Sequence, residues 1–250
     1  LDPRHEFPRV RQHPVNLRSI GLNDMTIWFV SLPSKVDISS FSGKIGFRGS
    51  FSADKVLSGE IRGNLPQFGL TVKDKNLFKN AAVQLSGKMV YNSGRIRFSD
   101  SRVQVNRAVA MVNGQYHDGG RAKNLDLNIN LPKFGLGELI SLLPVPDSSL
   151  IREMAFAGQG RMYLTIKGDI SGRGGLMYTS SFELKDCSAR NPRTRTTAEN
   201  ISVKGNLSGK STSTFVLQLD HFNAALGKGN INGSLRLRDL NQLHFTADIS

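Results

Sequence analysis

A single cysteine, Cys187, stands in 250 residues. An internal disulfide, a multi-cysteine zinc site and a CxxC redox pair are therefore all excluded, and the thiol itself reads as a small side chain, buried or half-buried. Aromatic residues are sparse at 8%, few for two sheets packed face to face around ring anchors. No stretch nears the ~20 apolar residues that span a bilayer; the longest candidate runs from Met25 to Leu32. The first ten residues carry Pro3, Arg4, His5, Glu6 and Pro8 with no apolar run behind the charges, so no signal peptide is read there. Any anchor of a parent protein is expected outside this piece.

Catalytic and cofactor signatures are missing too. The histidines, His5, His13, His117, His221 and His244, stand far apart with no HExxH or H-x-H spacing. Gly227, Gly229 and Gly233 have the wrong spacing for a dinucleotide fingerprint, and Gly172-Arg173-Gly174-Gly175 lacks the lysine and serine of a P-loop. Both read as turns. No G-x-S-x-G elbow occurs, and the 20 acids are scattered, so no carboxylate pair for sugar hydrolysis stands out. The expectation is a protein that is not an enzyme and holds no metal or cofactor.

What the chain does have is repetition. Asn64-Leu65-Pro66-Gln67-Phe68-Gly69-Leu70 returns as Asn130-Leu131-Pro132-Lys133-Phe134-Gly135-Leu136, six of seven identical after a shift of 66. Gly49 and Gly114 precede the two copies at nearly equal distance, each with an aromatic two residues on, Phe51 and Tyr116. Gly233, with Leu235 two residues later, marks a third copy whose proline would fall at position 251, so the chain reads as a piece of a longer array. A longer register relates Val83–Gly87 to Ile201–Gly205, 118 positions apart. Residues 40–158 are taken as one unit with a closing helix and 159–250 as a second, truncated unit. Residues 1–39 are left unassigned, with first strands as an option.

Strict alternation of apolar and polar residues signals strands with one apolar face. It recurs at Ile96 and Phe98; at Leu125, Leu127 and Ile129; at Met162, Leu164 and Ile166; and at Phe182 and Leu184. Further examples are Phe215, Leu217 and Leu219; Leu235 and Leu237; and Leu243 and Phe245. These segments are bounded by Gly, Asn, Asp and Ser, and 25 glycines suit many tight turns, so antiparallel neighbours are expected. One place breaks the period: Leu136, Leu139, Ile140 and Leu143 are spaced as one face of a helix, which Pro144 and Pro146 stop. The fold class is thus all-β, an elongated, twisted antiparallel sheet of repeated strands with one short amphipathic helix near residues 136–143, placed as a plug or lid on the sheet's end or edge. After Leu70, the counterpart stretch Thr71 to Phe78 supports at most a weaker helical turn.

A formal charge of +13 invites a nucleic-acid reading. The basic residues, however, sit singly between apolar ones, as in Arg95-Ile96-Arg97-Phe98, the pattern of a strand's solvated face. The one compact basic loop, Arg190 to Arg195, has no interleaved aromatics to stack bases, so no nucleic-acid partner is expected.

The glycine-ended strand Val112-Asn113-Gly114, the alternating strand Leu125 to Ile129 and the Leu-rich helix Gly137 to Pro144 together resemble the AsmA-like, TamB-type family of bacterial envelope proteins. The resemblance covers approximately residues 40–250. It implies a β-taco sheet whose concave apolar groove conducts phospholipid acyl chains through the periplasm of a Gram-negative bacterium, in a parent protein anchored to the inner membrane. In that reading the seventeen alternating apolar residues named above, from Ile96 to Phe245, line the groove, and the partner is a phospholipid or another acyl lipid. Two other readings stay open: a structural or adhesive β-repeat protein that binds glycan or protein through its polar face, and an enzyme acting on polysaccharide, which would need clustered carboxylates.

Overall fold

The computed structural model describes residues 15–31, 36–52, 54–72, 75–142, 153–171, 175–210, 214–239 and 244–250. The strands are β1 (Val15–Ser31), β2 (Val36–Phe51), β3 (Leu57–Val72), β4 (Lys75–Asn92), β5 (Arg95–Val105), β6 (Ala108–Asp118) and β7 (Lys123–Gly135). After helix α1 (Leu136–Leu142) come β8 (Ala155–Asp169), β9 (Gly175–Arg190), β10 (Thr197–Gly209), β11 (Val216–Leu226), β12 (Gly229–Arg238) and β13 (His244–Ile249). All thirteen form one antiparallel sheet in chain order. The all-β class is thus observed, as a single meander in which every strand pairs antiparallel with the next, most of them through turns too short for a parallel crossover.

The repeated heptapeptide is a bulge device. Leu65 pairs with Val83 and Phe68 with Ala81; in the second copy Leu131 pairs with Met162 and Phe134 with Gly160. Three steps on one strand thus match two on its neighbour, so one extra residue is inserted each time. Proline has no N–H to give the ladder and is tolerated in a sheet interior at such a bulge. The insertion also turns Leu and Phe, three apart in sequence, toward the same face, where Leu65 is 5% exposed, Leu131 8% and Phe134 3%.

Register shifts interrupt nine of the twelve strand pairs, leaving β2–β3, β6–β7 and β12–β13 regular. Each bulge adds local twist and bends its strand, so the sheet coils along its length. Several bulges seat a polar residue in the left-handed region, among them Asp100 at φ 50° and Asn200 at φ 53°. Short side chains that bond to nearby backbone tolerate that conformation best.

Two expectations about local structure are corrected. Gly114 does not end a strand but lies inside β6, as its longer-register counterparts Gly87, Gly205 and Gly233 lie inside β4, β10 and β12. The described parts of Thr71 to Phe78 form the end of β3 and the start of β4, without a helical turn. The boundary drawn between residues 158 and 159 falls within β8, at the bulge residue Gly158 (φ 112°), and the sheet runs through it.

Helix α1 begins directly after β7, as its spacing predicts; Leu143, Pro144 and Pro146 lie outside the described residues. It packs on β8 and β7, and Glu138 stands 4.0 Å from Arg107 in the β5–β6 turn. The helix therefore sits against β7 and β8, near the β5–β6 turn.

Little of the chain is deeply buried. The tightest cluster is Leu65, Ala81 and Val83, with Ile27, Ile45, Phe68, Leu85, Val103 and Val105 against it. A total accessible surface of 17380 Å² exceeds the roughly 11,000 Å² expected of a compact globule of this mass. An open single-layer sheet contributes to that excess.

Candidate functional site

Paired residues in an antiparallel ladder point to the same face, so register partners can be traced across the sheet as rows. One row runs Gly49, Gly59, Met89, Phe98, Gly114, Leu127, Ile166, Tyr178 and Gly209, from β2 to β10. Beside it runs Phe51, Leu57, Tyr91, Ile96, Tyr116, Leu125, Gly168 and Leu176. On the other side runs Val112, Ile129, Leu164, Ser180, Leu207, Leu217, Leu237 and Phe245. A fourth row is Leu131, Met162, Phe182, Gly205, Leu219, Leu235 and Ala247, and a fifth links Gly160, Leu184, Val203, Phe222, Gly233 and Ile249.

Fifteen of the seventeen residues singled out by alternation lie in these rows, on one face. Phe215 directly precedes β11, and its carbonyl accepts a hydrogen bond of 3.0 Å from the Asp239 N–H. Leu243 lies outside the described residues, and Phe245 is placed by its pairing with Leu237 alone. Every one of the seventeen whose side chain is described is half-buried, including Leu127, Ile129, Leu164 and Leu217. Such exposure fits a face packed only along its own surface, since a facing layer would bury these positions fully.

Alternation missed several members of the same face. Met89, Tyr91, Tyr116, Tyr178, Leu207 and Phe222 share its rows, as do the glycines. In Ile45-Gly46-Phe47-Arg48-Gly49 the period is present, but a glycine where a large apolar residue is expected hides it. Those glycines have a steric cause. A Cβ on Gly49, Gly59, Gly114, Gly205 or Gly233 would stand 2.1 to 2.4 Å from a carbonyl oxygen of the adjacent strand. The strands approach closely on this side, and only glycine leaves room for the neighbouring backbone.

The opposite face is polar and bonded to itself. Asn128 Oδ1 accepts from the Tyr163 hydroxyl at 3.0 Å and from Thr165 Oγ1 at 3.1 Å. Lys167 pairs with Asp126 at 3.3 Å, Lys88 with Asp100 at 2.9 Å, and Glu183 with both Lys185 and Arg161. Hydrogen bonds from Lys185 and then Arg161 hold the Glu183 carboxyl below the usual carboxylate range. Hollows of about 640 and 660 Å³ open around Gly158–Arg161 and around Arg236, lined mainly by polar and charged residues together with Gly160, Leu219 and Leu235 of the apolar rows.

Comparison with protein-family models, with curated proteins and with solved structures returned no match. Among the described residues no three His, Cys, Asp or Glu side chains come together to hold a metal ion, and no helix is long and apolar enough to cross a membrane. Arrangement alone therefore characterises the site: a broad apolar face of aliphatic and aromatic side chains interspersed with glycines, backed by a polar, charged one. Such a surface offers apolar contact without directional partners.

Proposed function

We propose that the apolar face carries or shields lipid acyl chains, as a segment of a periplasm-spanning envelope protein that conducts phospholipid between membranes. The observation that supports this reading is the set of half-buried apolar residues that adjoining rows place on one face, among them Leu127, Ile129, Leu164 and Leu217, with Ser180 as the polar member on β9. An acyl chain needs apolar surface of this kind and no hydrogen-bond partner. At ~0.8 kcal/mol per buried CH₂, a sixteen-carbon tail gains on the order of 12 kcal/mol gross on leaving water. A bilayer offers nearly the same gain, so exchange between membrane and protein is close to neutral. A conduit requires that balance. The headgroup stays wet at the open side.

The test is mass spectrometry of the segment purified under gentle conditions. Phospholipid is expected to co-purify with the native chain and to be absent from Leu127→Arg, because a wall charge in contact with a hydrocarbon tail is unpaired and costly. A native chain free of lipid overturns the proposal.

A further inference from the structure

The polar face carries a second arrangement, unrelated to the apolar rows. On β3, β4 and β5 two adjacent rows cross three strands in register: Arg62, Ser86 and Arg102 in one, Asn64, Gln84 and Gln104 in the other. These six side chains line a shallow hollow of about 270 Å³. With strands about 4.8 Å apart and alternate residues about 6.8 Å apart, the grid measures roughly 10 by 7 Å between backbone positions.

Its chemistry differs from that of the larger hollows. The hollows around Gly158, Arg161 and Arg236 each include a carboxylate among Glu183, Asp186, Asp220 and Asp248. The lining of this one has none, and presents two guanidiniums, three carboxamides and a hydroxyl. Part of the grid is ordered in advance: Gln104 Nε2 donates to the Asn106 carbonyl at 2.8 Å, and Gln104 Oε1 accepts from Arg102 Nη2 at 3.3 Å. The guanidinium is thereby oriented while its other N–H groups stay available. Arg62 keeps a looser tie, 3.6 Å to Glu60.

We infer that this grid binds a carboxylated sugar unit of an extended anionic glycan. A guanidinium matches a carboxylate with two parallel hydrogen bonds, and carboxamides and a serine hydroxyl serve sugar hydroxyls as both donors and acceptors. The flanking register positions, Gly46 beside Arg62, Met111 beside Arg102 and Lys44 beside Asn64, supply no aromatic platform on which a nucleobase would stack. The hollow is open, so a polymer can lie across it.

The experiment titrates the full chain with a polygalacturonate oligomer, a neutral amylose oligomer of equal length and polyphosphate, read by calorimetry. Polygalacturonate binding is expected, with amylose and polyphosphate weaker. Arg102→Gln and Gln84→Ala should each weaken it, the first by about tenfold or more. The pair Arg236→Gln and Arg238→Gln, remote on β12, should leave it within about twofold although it removes more charge. Equal loss in the β12 variant, polyphosphate binding as tightly as polygalacturonate, or no binding of the native chain overturns the inference. All four positions changed are exposed, and far-ultraviolet circular dichroism with melting separates a lost fold from a lost site. Lipid content is read independently, so this result and the acyl-chain proposal can fail separately.

Discussion

Gly114 and Leu127 are register partners across β6 and β7, so close that a Cβ on Gly114 would stand 2.8 Å from Leu127 Cδ2 and 2.2 Å from the Asp126 carbonyl oxygen. Gly114→Val is therefore expected to force the two strands apart and cost about 1–3 kcal/mol. Gly46→Ala is the control, since its Cβ would meet nothing nearer than 3.9 Å, and its unfolding free energy in urea should change by no more than about 0.5 kcal/mol.

Leu127→Arg and Asn128→Arg place the same charge on opposite faces of one strand. Retention of co-purified lipid in Asn128→Arg and its loss in Leu127→Arg is the expected pattern. Asn128→Arg should still melt somewhat lower, because it removes an acceptor shared by Tyr163 and Thr165, a contribution of about 1 kcal/mol. Equal lipid loss in both variants counts against the sidedness.

Phe134, 3% exposed, lies over Gly160 and beside Leu184. Truncation to Ala should cost about 3 kcal/mol, since a sheet pinned by the neighbouring bulge cannot collapse into the gap. Chemical denaturation measures the loss.

Cys187 is 1% exposed, and its thiol donates to the Lys185 carbonyl at 3.3 Å. Burial pushes its pKa up, away from the reactive thiolate. A thiol reagent at neutral pH should label it at the rate of opening of the sheet, and immediately in denaturant.

Glu183 supplies a pH dependence. Its folded pKa is lowered, so its contribution to stability is present above the unfolded carboxylate pKa and is lost as pH falls through the folded value. Glu183→Gln should remove that part of the acid-side decline in melting temperature and leave the alkaline side unchanged. An acid limb identical to that of the native chain contradicts the assignment.

The spacing of the repeats has a topological explanation. The heptapeptide recurs from β3 to β7, four strands on, whereas Val83–Gly87 and Ile201–Gly205 lie on β4 and β10, six strands apart. Gly114 and Gly233, on β6 and β12, are also six apart. Neighbouring strands run in opposite directions, so a motif with a set direction and face can recur only after an even number of them. Both repeat lengths apparent in the primary structure satisfy that condition.

Legibility differed along the chain for a physical reason. Leu125, Leu127 and Ile129, or Met162, Leu164 and Ile166, announce their shared face because every second residue is large and apolar. Where the close approach of the next strand demands a missing side chain, as at Gly49, Gly114 and Gly205, the period lapses and the residue resembles a terminator. Bulges blur the pattern in the same way: Leu65 and Phe68 share a face despite odd spacing, because Pro66 and Gln67 contain an inserted residue.

The amino-acid sequence by itself determined that this chain makes one-faced antiparallel strands with a short helix after the second heptapeptide, since periods of two and of 3.6 are local properties of the backbone. It left undecided how far those strands align. Tertiary structure alone decided that the faces join into rows from β2 to β10, that glycines sit within strands, and that Arg62 comes to flank the same hollow as Arg102. A period records which side a residue takes, whereas register is set by the accumulated bulges and turns between strands, a relation no single segment contains.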